Sequence, residues 1–362
     1  MQVLESLPDE LFKLSDAEVL ESIDQAKRRL GKDLIILGHH YQQDDVVGFA
    51  DFVGDSLGLS RTAAQQSQAK WIVFCGVHFM AESADILTDP EQVVILPDLS
   101  AGCSMADMAR LPDAQACWGC LSSAGPDQVI PITYVNSSAA IKALVGRVGG
   151  LCCTSSNAQG AIRWALARGQ RVLFLPDQHL GRNTAFCLGY PLDSMALWNP
   201  DLPDGGLTKD QLAEAKFILW NGYCSVHQIF READVERIRR GSPQTKILVH
   251  PECCFEVVHK ADYIGSTAYI IKTVQQAPPG SSWAIGTEVN LVARLAKRFP
   301  DKQIQSLSLV QCLCATMYRV DPRHLLHALQ CLVEGKVINR IQVAPATRAD
   351  ARLALDRMLE ID

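Results

Sequence analysis

The most constraining feature of this chain is a rhythm. Short apolar runs alternate with helical stretches, and each run ends in polar residues. Such runs fall at 33–38, 71–76 and 93–97, at 129–134, 150–153, 171–175 and 217–220, and at 246–249, 262–264, 282–285 and 304–309. A strand that is apolar along its length is buried on both faces, the mark of a parallel sheet covered by helices. The expected fold class is α/β. The unit of strand, polar tip, helix, strand, tip, helix, strand and cysteine occurs three times. The first tip precedes its cysteine by 64 residues in one copy (39 to 103), by 88 in the next (136 to 224) and by 62 in the last (252 to 314). The middle copy is longer by about the segment 183–215, and triplication of one module is the economical account.

The expected architecture is three similar three-layer αβα domains in a pseudo-threefold arrangement around a central cluster. Their boundaries are 33–105, 106–225 and 226–329. A helical segment, 1–32, precedes them, and a tail, 330–362, packs on the first domain with a short strand near 337–343. Within the first segment Ser15-Asp16-Ala17-Glu18 predicts a capping box. Val19, Leu20, Ile23, Ala26 and Leu30 then recur at helical spacing, and Gly31 stops the helix. Val46 to Ala64 reads as one helical run.

In open parallel sheets ligands bind at the carboxyl ends of the strands. The tips there are His39, Tyr41, Tyr134, Asn136, Ser155, Ser156, His250, Glu252, Ser266 and Thr267. Several are hydroxyls just before a helical run. Hydroxyls and helix N–H groups aimed at one place bind an anion without arginine, although plain N-capping accounts for each hydroxyl taken singly. His39, Tyr41, His250 and Glu252 are acid–base types. Glu252, between Pro251 and Cys253, has no ion-pair partner nearby in sequence.

The chain has thirteen cysteines, no basic apolar leader in Met1–Lys13, and no apolar run long enough to span a bilayer. A cytoplasmic protein is expected, in which a disulfide framework does not form. Net charge is −6 with no basic run, which argues against nucleic acid and anionic membranes as partners. Most of the cysteines are therefore packing residues; Cys75, Cys187 and Cys331 read so. Cys103, Cys224 and one of Cys312 or Cys314 differ, because each follows the last strand of a copy. Spacings of 121 and 90 residues fit no linear zinc motif. Three equivalent thiolates leave one position open, as in a cubane iron–sulfur cluster whose fourth iron acts as a Lewis acid. A competing zinc site would use Cys117-Trp118-Gly119-Cys120 with Cys152-Cys153 or Cys253-Cys254.

Seven motifs, in order, resemble those of the quinolinate synthase family: Gly38-His39-His40-Tyr41-Gln42, Gly54-Asp55-Ser56, Gly76-Val77-His78-Phe79-Met80-Ala81-Glu82, Tyr134-Val135-Asn136, Thr154-Ser155-Ser156-Asn157-Ala158, His250-Pro251-Glu252-Cys253 and Gly265-Ser266-Thr267. The resemblance runs from about 33 to 319. It implies three α/β domains around a [4Fe-4S] cluster held by three cysteines. It also implies condensation of iminoaspartate with dihydroxyacetone phosphate to quinolinate, phosphate and water in de novo NAD synthesis; an aspartate oxidase is the expected transient partner. The ligands it implies are Cys103, Cys224 and Cys314, since only Cys314-Ala315-Thr316-Met317 fits the family's Cys-x-x-Met. Substrate contacts fall on His39, Ser56, Tyr134, Val135, Asn136, Ser155, His250, Pro251, Glu252 and Thr267, with Glu252, Tyr41 and His39 as proton carriers. Ser56 enters through the resemblance alone. The alternatives are an iron–sulfur redox or iron sensor without catalysis, and a zinc-dependent hydrolase built on Cys117 and Cys120.

Overall fold

The computed structural model describes residues 7–66, 68–123 and 128–361. Residues 1–6, at the start of the expected N-terminal helical segment, lie outside the described residues. The chain forms two compact units. One holds the residues up to Cys103 with Leu313–Ala344, and the other holds Ser104–Cys312 with the residues from Pro345 onward.

The first unit contains β1 (Leu34–His39), β2 (Phe52–Gly54), β3 (Trp71–Cys75) and β4 (Val93–Ile95). The second contains β5 (Val129–Tyr134), β6 (Leu151–Cys153), β7 (Arg171–Leu175), β8 (Met195–Trp198) and β9 (Phe217–Trp220). It also contains β10 (Lys246–Val249), β11 (Tyr263–Ile264), β12 (Ser282–Gly286) and β13 (Gln303–Ser306). A last strand, β14 (Arg340–Ile341), joins the first sheet antiparallel to β4. The sheet orders are β14-β4-β3-β1-β2, β6-β5-β7-β9-β8 and β11-β10-β12-β13. Stripped of β8 and β14, all three have one parallel order: second strand, first, third, last. The expected α/β class and the threefold internal repeat are both present at this level.

The strand interiors are apolar because both faces are covered. Ile36, Leu37, Ile72 and Val73 in the first sheet, and Phe174, Phe217 and Trp220 in the second, are 2% exposed or less. Burying each such side chain stabilises by roughly 1.5–3 kcal/mol. The N-terminal helix Asp16–Leu30 carries the expected capping box, with Glu18 N–H donating to Ser15 Oγ and Ser15 N–H to Glu18 Oε2. Val19, Ile23 and Ala26 face the helix Pro322–Val333. Gly31 ends the helix at φ 56°.

Two expectations are corrected. The run from Val46 to Ala64 is two helices, Asp44–Val47 and Ser56–Gln65, separated by β2. Three residues at a sheet edge, two of them exposed, leave no periodic signal. The tail divides: β14 stays with the first sheet, whereas the helix Pro345–Leu359 lies on the helix Ala139–Arg147 and on β6 in the second unit. The segment before β9 also adds an edge strand, β8, parallel to it.

The two helices of that last contact meet at Gly146, where a Cβ would stand 2.0 Å from the Asp350 carbonyl oxygen. Arg147 Nη2 pairs with Asp350 at 2.7 Å beside it. Gly146→Ala forces the backbones apart. It is expected to lower the unfolding free energy by about 1–3 kcal/mol in denaturant titrations, whereas Gly241→Ala, with open space around it, changes it far less.

Candidate active site

Parallel pairing brings the tips of β5, β6, β7, β9 and β10 to the carboxyl edges of the second unit's sheets. His250 and Glu252 follow β10, and both are 2% exposed. The Glu252 backbone N–H points at His250 Nδ1 (3.4 Å), which leaves Nε2–H to donate to Ser155 Oγ beyond β6 (3.1 Å). Burial, then the neighbouring charge of His227, pushes His250 down to about 3, so its imidazole is neutral at pH 7. His227 stacks on it, with ring centroids 4.4 Å apart and planes 16° from parallel. His227 Nε2 meets Thr287 Oγ1 at 3.2 Å, and Nδ1 lies 2.6 Å from Glu252 Oε2. Burial acts to raise the Glu252 carboxyl, but the two imidazoles and hydrogen bonds from His227 and Tyr134 outweigh it and hold the group ionised. Glu252 Oε1 has no hydrogen-bond partner among the described residues.

Cys224 follows β9. Its Sγ, a ring nitrogen of His227 and a carboxylate oxygen of Glu252 all lie within 4.8 Å of one another. Asp177, at the tip of β7, receives the backbone N–H of Cys224 and caps the next helix through Leu180 N–H (2.6 Å). Burial and the charge of Glu252 push Asp177 well above the usual carboxylate range. Asn183 donates its amide to the carbonyls of Pro251 and Cys253, each at 2.8 Å, and so fixes the loop that carries Glu252.

Tyr134 ends β5 and reaches Glu252; Val135 N–H is held by Cys153 O (2.8 Å), and Asn136 Oδ1 is buried without a partner among the described residues. Thr267 is buried at the first position of the helix Thr267–Gln276, which Ser266 caps. A cavity of about 400 Å³ runs between the β6 and β11 tips, lined among others by Ser155, Asn183, Pro251 and Ser266.

The remaining expected residues lie in the first unit. His39 is buried at the end of β1, and its Nδ1 accepts the Tyr41 backbone N–H (3.2 Å), the arrangement seen again at His250 and Glu252. The Tyr41 ring stands edge-on to His39 at 4.7 Å. Ser56 opens the helix Ser56–Gln65, capped by Asp55. Cys103 is half-buried after β4, and Cys314 is half-buried with Sγ 3.6 Å from Thr316 Oγ1. Gln42 Nε2 donates to Met317 O (2.9 Å) and so ties the β1 tip to the Cys314 loop.

The family model described as quinolinate synthetase A protein matches residues 21–360. The chain belongs to the quinolinate synthetase A family. A quinolinate synthase of Herpetosiphon aurantiacus is 57% identical over 96% of this chain and 94% of that protein. One from a Nocardioides species is 55% identical over 98% and 92%, and one from Acidobacterium capsulatum 55% over 98% and 95%.

The family's motifs thus sit at equivalent tips. The first-strand tips are His39 with Tyr41, Tyr134 with Asn136, and His250 with Glu252; the second-strand tips are Ser56, Ser155 and Ser266. Reading the sequence missed Ser56 because it missed β2. It also passed over His227, although Cys224-x-x-His227 places both on one turn. Burial separates some of the other cysteines, although Cys120, Cys254 and Cys331 are half-buried like the expected ligands and Cys187, expected as a packing residue, is exposed. Cys75 and Cys152 lie inside strands, and burial pushes each thiol up to about 12. Cys117 is raised further by burial, and no third metal ligand joins Cys117 and Cys120 among the described residues. Among the described residues no helix is long and apolar enough to cross a membrane.

His250 makes stability depend on pH. Its folded pKa lies below its unfolded value, so an unfolded chain takes a proton that the native protein refuses. Stability from this group is intact above about pH 6.5 and falls toward acid by about 1.4 kcal/mol per pH unit until about pH 3. His250→Gln is expected to flatten that slope in unfolding titrations run between pH 7 and 4.

Proposed function

We propose that this chain is a quinolinate synthase: it condenses iminoaspartate with dihydroxyacetone phosphate and releases quinolinate, phosphate and water in the synthesis of NAD. The observation that carries this reading is the constellation of half-buried Cys224 with buried His227 and Glu252, within 4.8 Å of one another. It puts a cysteine tip, an acid–base pair and the polar ends of several strands in one place.

Cys103, Cys224 and Cys314 would hold a [4Fe-4S] cluster. The donor set fits: each is half-buried beyond the last strand of its sheet, where a thiolate is tolerated, whereas the cysteines within strands are sealed in. When bound, such a cluster supplies an open iron as a Lewis acid for loss of water. The chain's own residues do the rest. Glu252 accepts and returns protons through Oε1, the oxygen left without a protein partner. His227 holds the opposite oxygen in place. Neutral His250 orients Ser155, which with Thr267, Asn136, Ser56 and the backbone around Val135 and Pro251 holds the phosphate and carboxylates. Tyr41 and His39 are further proton carriers. The imine reaches the site from an aspartate oxidase, which meets this chain only transiently.

Iminoaspartate made in situ by an aspartate oxidase, given with dihydroxyacetone phosphate to anaerobically purified protein, is expected to yield quinolinate. Iron and sulfide analysis that finds one zinc and no sulfide would falsify the cluster reading in favour of a zinc hydrolase, and a cluster without turnover would favour a sensor. Glu252→Gln is expected to lower turnover roughly 10²–10⁴-fold with iron and sulfide content unchanged. Cys314→Ala abolishes the cluster. Cys312→Ala keeps it, because Cys312 is fully buried with its thiol 3.4 Å from Val310 O and its pKa pushed up to about 11 by burial.

A further inference from the structure

Of the described residues lining the cavity between the β6 and β11 tips, Arg163 alone carries a charge. It is exposed, and it makes no ion pair among the described residues. It stands on the helix Ala158–Leu166, which no side chain caps: Asn157, at the N-cap, spends its Oδ1 on Thr154 N–H (2.8 Å) and its amide on Met358 O (3.1 Å). Ala158, Gln159 and Gly160, which bear the orphan N–H groups of the first turn, line the cavity. Arg163 is four residues past Gln159 and three past Gly160, so it shares their face of the helix. Long helical side chains lean toward the helix N-terminus, which carries the guanidinium toward those N–H groups.

The same cavity is lined by Ser155, Ser266 and Asn183. Asn183 is 1% exposed, and its Oδ1 is buried without a partner among the described residues, because its two hydrogen bonds both use the amide nitrogen on carbonyls. The walls therefore offer a cation, backbone N–H donors and hydroxyls, together with one unsatisfied acceptor. A small ligand with a dianionic head and a hydroxyl matches that set, and of the two substrates of the proposed reaction only dihydroxyacetone phosphate has both. The chain carries a net charge of −6, which repels such a ligand at a distance, so a local cation at an opening has a large effect on capture.

We propose that this cavity is the port for the phosphate-bearing substrate and that Arg163 recruits it there. The proposal rests on the quinolinate synthase reading and adds a route and a residue to it. Arg163 acts on capture and not on the chemical steps, so its removal shows in kcat/KM for one substrate and not in kcat.

The test compares wild type, Arg163→Gln and Arg168→Gln, with each substrate varied in turn at low and high ionic strength. Arg168→Gln removes the same charge from a guanidinium 3.9 Å over the Trp164 ring, outside the cavity. At low salt Arg163→Gln is expected to lower kcat/KM for dihydroxyacetone phosphate about tenfold and to keep kcat within about twofold, and the gap closes as salt rises. Arg168→Gln follows wild type. Calorimetric titration of the full chain with dihydroxyacetone phosphate alone is expected to show the same salt-dependent weakening. Equal kcat/KM in wild type and Arg163→Gln overturns the proposal, as does a gap that salt does not change or one that falls on iminoaspartate instead. Wild type that makes no quinolinate from these substrates overturns the functional reading beneath it.

Discussion

Parallel pairing is the constraint from which the site follows. A strand covered on both faces cannot carry polar side chains, so the groups that do chemistry are confined to its ends. A parallel ladder turns every strand the same way, and each carboxyl end leads into the N-terminus of a helix. In the second unit Ser155, Asp177, Cys224 and His250 all lie just beyond such ends, on β6, β7, β9 and β10. The order second, first, third, last recurs in all three sheets, so the chemical positions recur with it. The acid–base pair two residues apart at the β1 tip and at the β10 tip is the plainest result: in both, a histidine Nδ1 takes the backbone N–H of residue i+2.

Placing charge at a buried strand end has an electrostatic cost that only neighbours offset. An ionised carboxylate withdrawn from water needs a partner and hydrogen bonds, and Glu252 has His227 at 2.6 Å with Tyr134 beside it. Asp177 is near enough for its charge and that of Glu252 to oppose each other. Two such acids do not both ionise readily, and the better-paired one holds its charge. Asp177 is the one displaced upward. His250 gives way in the opposite sense: stacked on His227, it stays neutral and serves as a donor to Ser155. Removing His227 therefore leaves Glu252 as an uncompensated buried charge, a larger perturbation than loss of one hydrogen bond.

The parts of this arrangement legible in the sequence were those with a periodic or compositional signal. Apolar strands of four to six residues such as β1, β5, β7, β9 and β10 showed themselves, and so did the capping box at Ser15. The short edge strands β2 and β8 did not, because a half-exposed edge needs no apolar run. Missing β2 hid the equivalence of Ser56 with Ser155 and Ser266, which no count of residues alone reveals. His227 and Asn183 stayed hidden for another reason. Their roles are contacts with residues 25 and 68 or more positions away, Glu252 and the Pro251–Cys253 carbonyls, and only the packing of two sheets in the second unit brings these together.

Burial excludes some of the cysteines as metal ligands without singling out the rest, since Cys120, Cys254 and Cys331 are half-buried like the proposed ligands. A metal ligand must give up its proton, and a thiol sealed among apolar side chains holds it. Cys75 and Cys152, raised to about 12, remain thiols at any pH the protein meets. The pair Cys312 and Cys314, one residue apart, differs in burial: Cys312 is buried and Cys314 half-buried. Cys312 is enclosed, turned to the Val310 carbonyl, and its own carbonyl receives the N–H of Val289 at 3.1 Å. Cys314 is half-open at the start of a loop that Gln42 anchors to the β1 tip. A ligand at Cys312 in place of the proposed Cys314 would require Cys312 to leave its enclosure and to lose the Val310 contact. The equivalence of the three strand-end cysteines thus rests on accessibility as well as on spacing.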